Sequence, residues 1–392
     1  MKIGINGSFL RKPGTGIGQV TVHFLRTLTN LIRSDKRLAG NRYVLYCEEK
    51  PALDFTLSAN IEIRNFLPRW WKRDDVPRKW LWERELVKRA AEDNCDVFIS
   101  LYQSATDFHI SSLTPHASTV RHVMVVHDII PKLFPEYLGK ISQRLHWDAV
   151  EKGIRHADHI IAISETTKND LGKYLRVSEE KISVAYPDAS PRFHEKISTE
   201  IVDAVLKKYN LKRGYIYHGG GLEVRKNTKR LLEAYAQFLQ KEREVSDLPR
   251  LVLSGKIFPK SNTLATDVKD LVKTLHLEEE VALLDFVPEE DLPALYRGAL
   301  FFVYPSLYEG FGLPVLEALR MGTPVLSSNT ASLPEVGGDA VLYCDPNRVD
   351  SIVSGIQRLF HEKSTRENLL SKSHSQVLRF DWRRFVQTIV NA

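Results

Sequence analysis

The chain carries three cysteines in 392 residues, Cys47, Cys95 and Cys344, scattered and without metal-ligand spacing. An odd, dispersed set argues against a disulfide framework and predicts a reducing compartment. No run of about 18 uncharged apolar residues occurs, the length a bilayer-crossing helix needs. Met1 to Gly7 reads as a short apolar strand meeting a turn, not as a charged segment followed by a long apolar core, so no export signal is read there. These absences predict a soluble or peripheral cytoplasmic chain. There is no solenoid repeat, no Walker loop and no Ser-His-Asp signature, which removes the main support for kinase and hydrolase readings. The net charge of +6 comes without a basic arm or a nucleic-acid module, so no nucleic-acid partner is expected and a diphosphate or an anionic lipid fits the charge better.

Hydrophobic residues at 43% and charged residues at 27% leave no long polar tract, so nearly all of the chain should fold. Its length exceeds the roughly 250–300 residues at which single cores stop growing, which predicts two α/β domains with a cleft between them. Strand-length apolar runs alternate with helical patterns: Lys2–Asn6, a helix near Gly18–Ile32, Tyr43–Tyr46, a helix over Trp80–Glu92, then Val97–Ser100, His122–Val126 and Ile160–Ile163. The rhythm restarts at Tyr215–Tyr217 and continues through a helix near Thr228–Leu239, Leu251–Leu253, Val281–Leu284, Phe301–Val303, a helix near Pro314–Met321 and Pro324–Ser327. Such alternation predicts two doubly wound parallel sheets. Pro187 and Pro191 break regular structure between the halves, which sets the domains at residues 1–188 and 189–370.

The most informative string is Pro305-Ser306-Leu307-Tyr308-Glu309-Gly310-Phe311-Gly312-Leu313-Pro314-Val315-Leu316-Glu317-Ala318, which follows a strand and opens a helix. Pro314 suits the first helical position, and the amides near Gly312 and Leu313 mark a helix N-terminus that attracts anions. Glu309 just before the helix and Glu317 inside it would repel a phosphate unless they bind hydroxyls, which makes them candidate sugar and ribose ligands. A second loop, Gly219-Gly220-Gly221 to Arg225-Lys226-Asn227, again joins strand to helix. Arg225 and Lys226 there could neutralise a departing diphosphate. In the first half, Pro13-Gly14-Thr15-Gly16-Ile17-Gly18 joins the first strand to the first helix and fits either a plain tight turn or an anion loop. His127 ends a strand, where doubly wound sheets place ligand groups.

Two Glu separated by seven intervening residues around Gly-Phe-Gly-Leu-Pro closely resemble the donor-site motif of the retaining glycosyltransferases of family 4, and similarity continues through Ala318 to Leu326 and Ser332 to Val336. The resemblance implies the GT-B fold, two Rossmann-like domains facing a cleft, with residues 371–392 forming a helix that returns to the first domain. It implies that Glu317 binds the donor ribose, that Glu309 binds the transferred sugar beside the amides of Phe311, Gly312 and Leu313, and that the Gly16 loop covers the diphosphate. Many members carry the basic residue near the position of Gly220; here Arg225 beside Lys226 matches a recurrent Arg-Lys-Asn variant. His127, with Asp128-Ile129-Ile130-Pro131 and Phe134-Pro135-Glu136, resembles a branch containing many mannosyltransferases.

The resemblance further implies a nucleotide diphosphate sugar as donor, GDP-mannose first and a UDP-sugar second, and a glycan or lipid-linked acceptor. Front-face attack is the mechanism it implies, with the departing diphosphate helping to deprotonate the acceptor hydroxyl. Asp-x-Asp is absent, so neither a cofactor nor a metal is expected, and basic residues and helix dipoles take the metal's place. The stretch Arg69-Trp70-Trp71-Lys72-Arg73 through Trp82 mixes aromatic and basic residues as membrane-surface segments do; it equally fits a helix whose tryptophans pack on a core. A non-hydrolysing nucleotide-sugar epimerase, which shares the fold, would need further acid and base groups and no acceptor. A non-enzymatic sugar-nucleotide-binding scaffold would keep the binding residues without turnover.

Overall fold

The strands of this chain fall into two sheets in which every pairing is parallel. The computed structural model describes residues 1–66, 76–109, 117–258 and 262–392. They divide into one unit of Met1–Pro187 with Phe380–Ala392 and a second of Asp188–Arg379.

The first unit holds β1 (Lys2–Asn6), β2 (Arg42–Cys47), β3 (Ile61–Asn65), β4 (Val97–Ser100), β5 (Arg121–Val126), β6 (His159–Ala162) and β7 (Ile182–Val184), in the order 3-2-1-4-5-6-7. The central strands are near-continuous apolar runs because helices cover both faces of the sheet. On one such helix, Gly16–Ser34, Phe24, Leu25 and Leu28 are fully buried, and the Thr15 hydroxyl caps the first turn by accepting from the Gly18 amide at 3.2 Å.

The second unit holds β8 (Tyr215–His218), β9 (Leu251–Ser254), β10 (Val281–Leu284), β11 (Ala299–Tyr304), β12 (Val325–Ser328) and β13 (Leu342–Cys344), in the order 10-9-8-11-12-13. Its core joins strand residues Ile216, Leu251 and Phe301 to Leu231, Tyr235 and Ile356 of the covering helices. Strand order reverses between β1 and β4 in the first sheet and between β8 and β11 in the second. At such a point neighbouring chain segments leave the sheet to opposite sides, and their loops bound a crevice beyond the carboxyl ends of the strands.

The alternation predicted from sequence is present, and several elements lie beyond it. β7 and β13 have three residues each, and β3 carries Glu62, Arg64 and Asn65, so it forms no apolar run. Helix Ile141–His156 is likewise not foreseen. The unit boundary falls at Pro187/Asp188, where Asp188 is buried and receives two hydrogen bonds from Arg320, at 2.8 and 2.7 Å. The return to the first unit starts at Phe380 rather than at 371. Helix Lys363–Val377 stays with the second unit because Gln376 Nε2 donates to the Val336 carbonyl and Arg320 to that of Val377. Phe380 then packs edge-on to Tyr186, and Trp382 opens helix Trp382–Asn391 against His23.

Candidate active site

Lys226 and Glu309 meet because β8 and β11 are neighbours at the strand-order reversal of the second sheet. The chain leaves β8 through Gly219–Gly221 and makes a short turn, Val224–Lys226, before helix Thr228–Lys241. Gly220 has φ +91°, and a Cβ there would stand 2.7 Å from Pro314 Cγ, so only glycine lets the two loops approach this closely. Asn227, itself left-handed at φ 63°, fastens the loops together by donating to the carbonyls of Pro305 at 3.0 Å and Pro346 at 2.7 Å. The Leu307 amide closes the seam on the Arg225 carbonyl at 2.8 Å.

Glu309 is buried at the centre of this seam. Its Oε1 accepts from Lys226 Nζ at 2.7 Å, from the Tyr304 hydroxyl at 2.9 Å and from the Ser306 hydroxyl at 2.7 Å, while Oε2 accepts from Arg225 Nη1 at 2.8 Å. Burial alone would raise the carboxyl, but the charges of Lys226 and Arg225 and the Ser306 hydrogen bond bring it down to about 2. It is therefore an anion at neutral pH. Lys226 also reaches the Tyr304 hydroxyl, with its ammonium 5.1 Å from that ring's centroid.

The sequence argument required both glutamates to bind hydroxyls in order to sit beside an anion. For Glu309 the structure sets two cations, Arg225 and Lys226, against its carboxylate, and the Glu223 carboxylate also acts on both.

Glu317 lies in helix Leu313–Arg320, buried, with Oε2 accepting from the Tyr296 hydroxyl at 2.9 Å. No cation pairs with it at salt-bridge distance among the described residues. Burial pushes its carboxyl up to about 7, against the lowering effect of Tyr296, so near neutral pH it exchanges a proton readily. Gly312 caps the helix, Leu313 is its first residue and Pro314 its second, one place later than the sequence suggested. Ser332 donates to the carbonyls of Glu309 at 2.9 Å and Phe311 at 2.6 Å, which holds Glu309–Phe311 against the helix start.

His127 and Gly16 belong to the first unit. His127 is buried at the carboxyl end of β5, with Nε2 2.8 Å from the Leu101 carbonyl. Because a carbonyl only accepts, Nε2 carries the proton and Nδ1 is the acceptor nitrogen. Burial lowers the imidazole to about 4, so it is neutral at physiological pH. Gly16 opens its helix in open space, where a Cβ would meet nothing within 4 Å. The steric demand of the loop falls instead on Gly18, where a Cβ would stand 1.9 Å from the Lys12 carbonyl oxygen.

Beyond β1 and β4, at the reversal of the first sheet, a cavity of about 530 Å³ opens between Phe9, Trp82, Tyr102 and Trp147. Two buried carboxylates line it. Glu48 takes Arg78 at 2.6 Å and Ser8 at 2.5 Å, and Glu83 takes the Ala105 amide at 3.2 Å and faces His146 Nε2 at 3.0 Å. Aromatic faces beside fixed polar groups suit a hydroxyl-rich ligand.

Of the basic and aromatic stretch, residues 69–75 lie outside the described residues. Val76–Glu92 is a helix in which Arg78 and Trp82 are buried while Lys79 and Trp80 face outward. No described helix is long and apolar enough to cross a membrane.

Tyr304, Ser306, Tyr296 and Ser332 carry much of this geometry without having been singled out in the sequence. Ser306 lies within the recognised string, but Tyr296 sits on a separate helix and nothing in its local sequence marks it.

Comparison with known proteins adds the family context. Residues 204–375 match the model for "Glycosyl transferases group 1", and residues 20–187 match "Glycosyltransferase Family 4". The O-antigen chain mannosyltransferase B of Escherichia coli is 36% identical over 273 residues, covering 69% of this chain and 70% of that protein. The O-antigen chain mannosyltransferase RfbU of Salmonella typhimurium is 26% identical over 99% of this chain and 98% of its own length. Among solved structures, Anabaena Alr3699/HepE in complex with UDP-glucose superposes with a TM-score of 0.71 at 17% identity, over 100% of this chain and 98% of that one. That last likeness is one of fold, and the fold is GT-B.

Proposed function

This chain belongs to the family 4 glycosyltransferases and is a glycosyltransferase, and from that premise we propose that it transfers mannose from GDP-mannose to a glycan acceptor with retention of anomeric configuration and without a metal ion. The observation that carries the donor site is the cluster of Arg225, Lys226 and Glu309 at the β8/β11 reversal, with Glu317 eight residues further on. The mannosyl donor rests on the two O-antigen mannosyltransferase relatives, which also favour a polysaccharide acceptor.

In this reading the donor diphosphate lies at the start of helix Leu313–Arg320, against Arg225 and Lys226. As the bond from C1 to the diphosphate oxygen breaks, negative charge gathers on that oxygen, and Arg225 and Lys226 stabilise it. Preorganised charges of this kind lower the barrier because they need not reorient during the reaction. The acceptor oxygen forms its bond to C1 on the same face, and its proton passes to the departing diphosphate. Glu309 keeps both cations in place and ionised, while Glu317 takes the ribose hydroxyls, with Tyr296 fixing one of its oxygens. In the first unit, the Nδ1 of His127 is an acceptor suited to a sugar hydroxyl, and the cavity beside Trp82 suits a glycan acceptor.

A UDP-sugar is the alternative donor, favoured by the UDP-glucose bound in the Anabaena fold relative. A thermal-shift panel of GDP-mannose, UDP-glucose, UDP-N-acetylglucosamine and ADP-glucose, with and without EDTA, decides between them, since a ligand that binds only the folded state stabilises it by mass action. Stabilisation by GDP-mannose that survives EDTA is the expected result. A response confined to UDP-sugars overturns the donor, and one lost with EDTA overturns the metal-free reading. Product anomeric configuration by NMR tests retention.

A further inference from the structure

Tyr304, the last residue of β11, is fully buried, with its ring stacked on Phe302 at 5.6 Å between centroids and 21° between planes. The stack fixes the ring, and the ring carries one hydroxyl into the cluster of Lys226 and Glu309. Gly220 approaches the same ring without a side chain. A Cβ there would stand 2.7 Å from Pro314 Cγ and 3.4 Å from the Tyr304 hydroxyl oxygen, so position 220 brings no group of its own to this corner.

An ammonium donates three hydrogen bonds and accepts none. Lys226 gives one N–H to Glu309 Oε1 at 2.7 Å and a second to the Tyr304 hydroxyl, so the phenol oxygen accepts there and its single proton goes on to Glu309 Oε1 at 2.9 Å. Nζ, the phenol oxygen and Oε1 thus form a closed triangle. One hydrogen bond would let the lysine head pivot about that bond. Two, to oxygens that are themselves held, set its orientation, and the tetrahedral nitrogen then fixes the direction of the third N–H. The ammonium also lies 5.1 Å from the centroid of the Tyr304 ring, within cation–π reach. Burial lowers the Lys226 amine, the Glu309 charge opposing and the Arg225 charge adding to that effect, so an oxygen that accepts from the ammonium favours its charged form.

We propose that Tyr304 is a positioning residue for the transfer: by accepting one N–H of Lys226 and donating to Glu309, its hydroxyl aims the remaining Lys226 N–H at the oxygen of the departing diphosphate. This role rests on the transfer reading above, in which Lys226 stabilises that oxygen. Tyr304 itself touches no reacting atom and acts through Lys226. Charge on the leaving oxygen is greatest in the transition state, so the direction of one N–H bears on the rate more than on donor binding.

A double-mutant cycle of Tyr304→Phe and Lys226→Ala in the full chain, assayed by steady-state kinetics with GDP-mannose, or with the UDP-sugar if that is the donor, tests this role. Tyr304→Phe keeps the ring and its stack and removes only the hydroxyl, so kcat should fall about tenfold while the donor KM changes by less than about twofold. In the Lys226→Ala background the same substitution should slow the reaction no further, since the hydroxyl then has no ammonium to aim. Equal slowing in both backgrounds, no slowing in either, or a rise in KM without a fall in kcat overturns the proposal. A Lys226→Ala protein that keeps the wild-type kcat strikes the transfer reading itself, and this role with it. If Tyr304→Phe melts too early to assay, NMR relaxation of the Lys226 ammonium nitrogen in the wild type without donor decides: restricted motion is expected, and free reorientation overturns the positioning.

Discussion

Lys226 and Glu309 are 83 residues apart in sequence and 2.7 Å apart in space. Neither can be changed without consequence for the other, because both are buried. Removing the carboxylate leaves buried Lys226 and half-buried Arg225 without their shared partner, whereas removing Lys226 leaves Glu309 with Arg225, Tyr304 and Ser306. Glu309→Gln is therefore expected to cost roughly 3 kcal/mol or more in urea unfolding, and Lys226→Ala clearly less. The rate should respond in a different order, with Lys226→Ala lowering kcat about 100-fold or more. A Lys226→Ala protein that loses stability in proportion to its loss of rate would show a structural role only.

The two glutamates should respond to pH with opposite sign. Glu309 has a folded pKa near 2, below its ordinary 4.5, so its contribution to stability is present above about 4.5 and is lost as pH falls toward 2. Glu317 has a folded pKa near 7, above 4.5, so the folded state holds its proton more tightly and stability drains as pH rises from about 4.5 through 7. Glu317→Gln should remove that loss, melting at or above wild type at pH 8 while binding the nucleotide sugar more weakly. Melting curves from pH 5 to 8 check this, and an unchanged pH slope in the variant would refute it.

Loop glycines separate steric need from mere presence in a motif. Gly16→Ala should alter stability by no more than about 0.5 kcal/mol, since its side chain would enter open space. Gly18→Ala would push a methyl into the Lys12 carbonyl, and Gly220→Ala would push one into Pro314 at a positive φ. Each should lose on the order of 2 kcal/mol or more. Calorimetry of the three variants ranks them directly.

His127 should not titrate in the working range, because burial holds it near pH 4. Its imidazole resonances are expected to stay constant from pH 5.5 to 8 by NMR, with the proton on Nε2. His127→Phe should raise KM for the donor while leaving the shape of the pH–rate profile unchanged. A profile that loses a limb in the variant would assign His127 a proton-transfer role instead.

Much of this was legible without coordinates. The two α/β halves follow from apolar runs alternating with helical patterns. The string from Pro305 to Ala318 also announces its own geometry, because Gly312 and Pro314 specify where a helix begins. Those are local facts, carried by residues a few positions apart. The C-terminal return could be anticipated but not placed, since what keeps Lys363–Val377 with the second unit is the contact of Gln376 and Arg320 with backbone carbonyls far along the chain.

The sequence by itself determined which segments could form strands, helices and glycine-rich loops, because propensity, capping and steric limits act over a few residues. Only the tertiary structure decided that β8 lies beside β11, and with it that Lys226, Arg225, Tyr304 and Ser306 converge on Glu309. It likewise decided that Tyr296 meets Glu317, and that Arg78 and Trp82 turn inward while Trp80 faces outward. Strand order and the burial of a charge are properties of the whole packed sheet, where desolvation is balanced by partners drawn from distant segments.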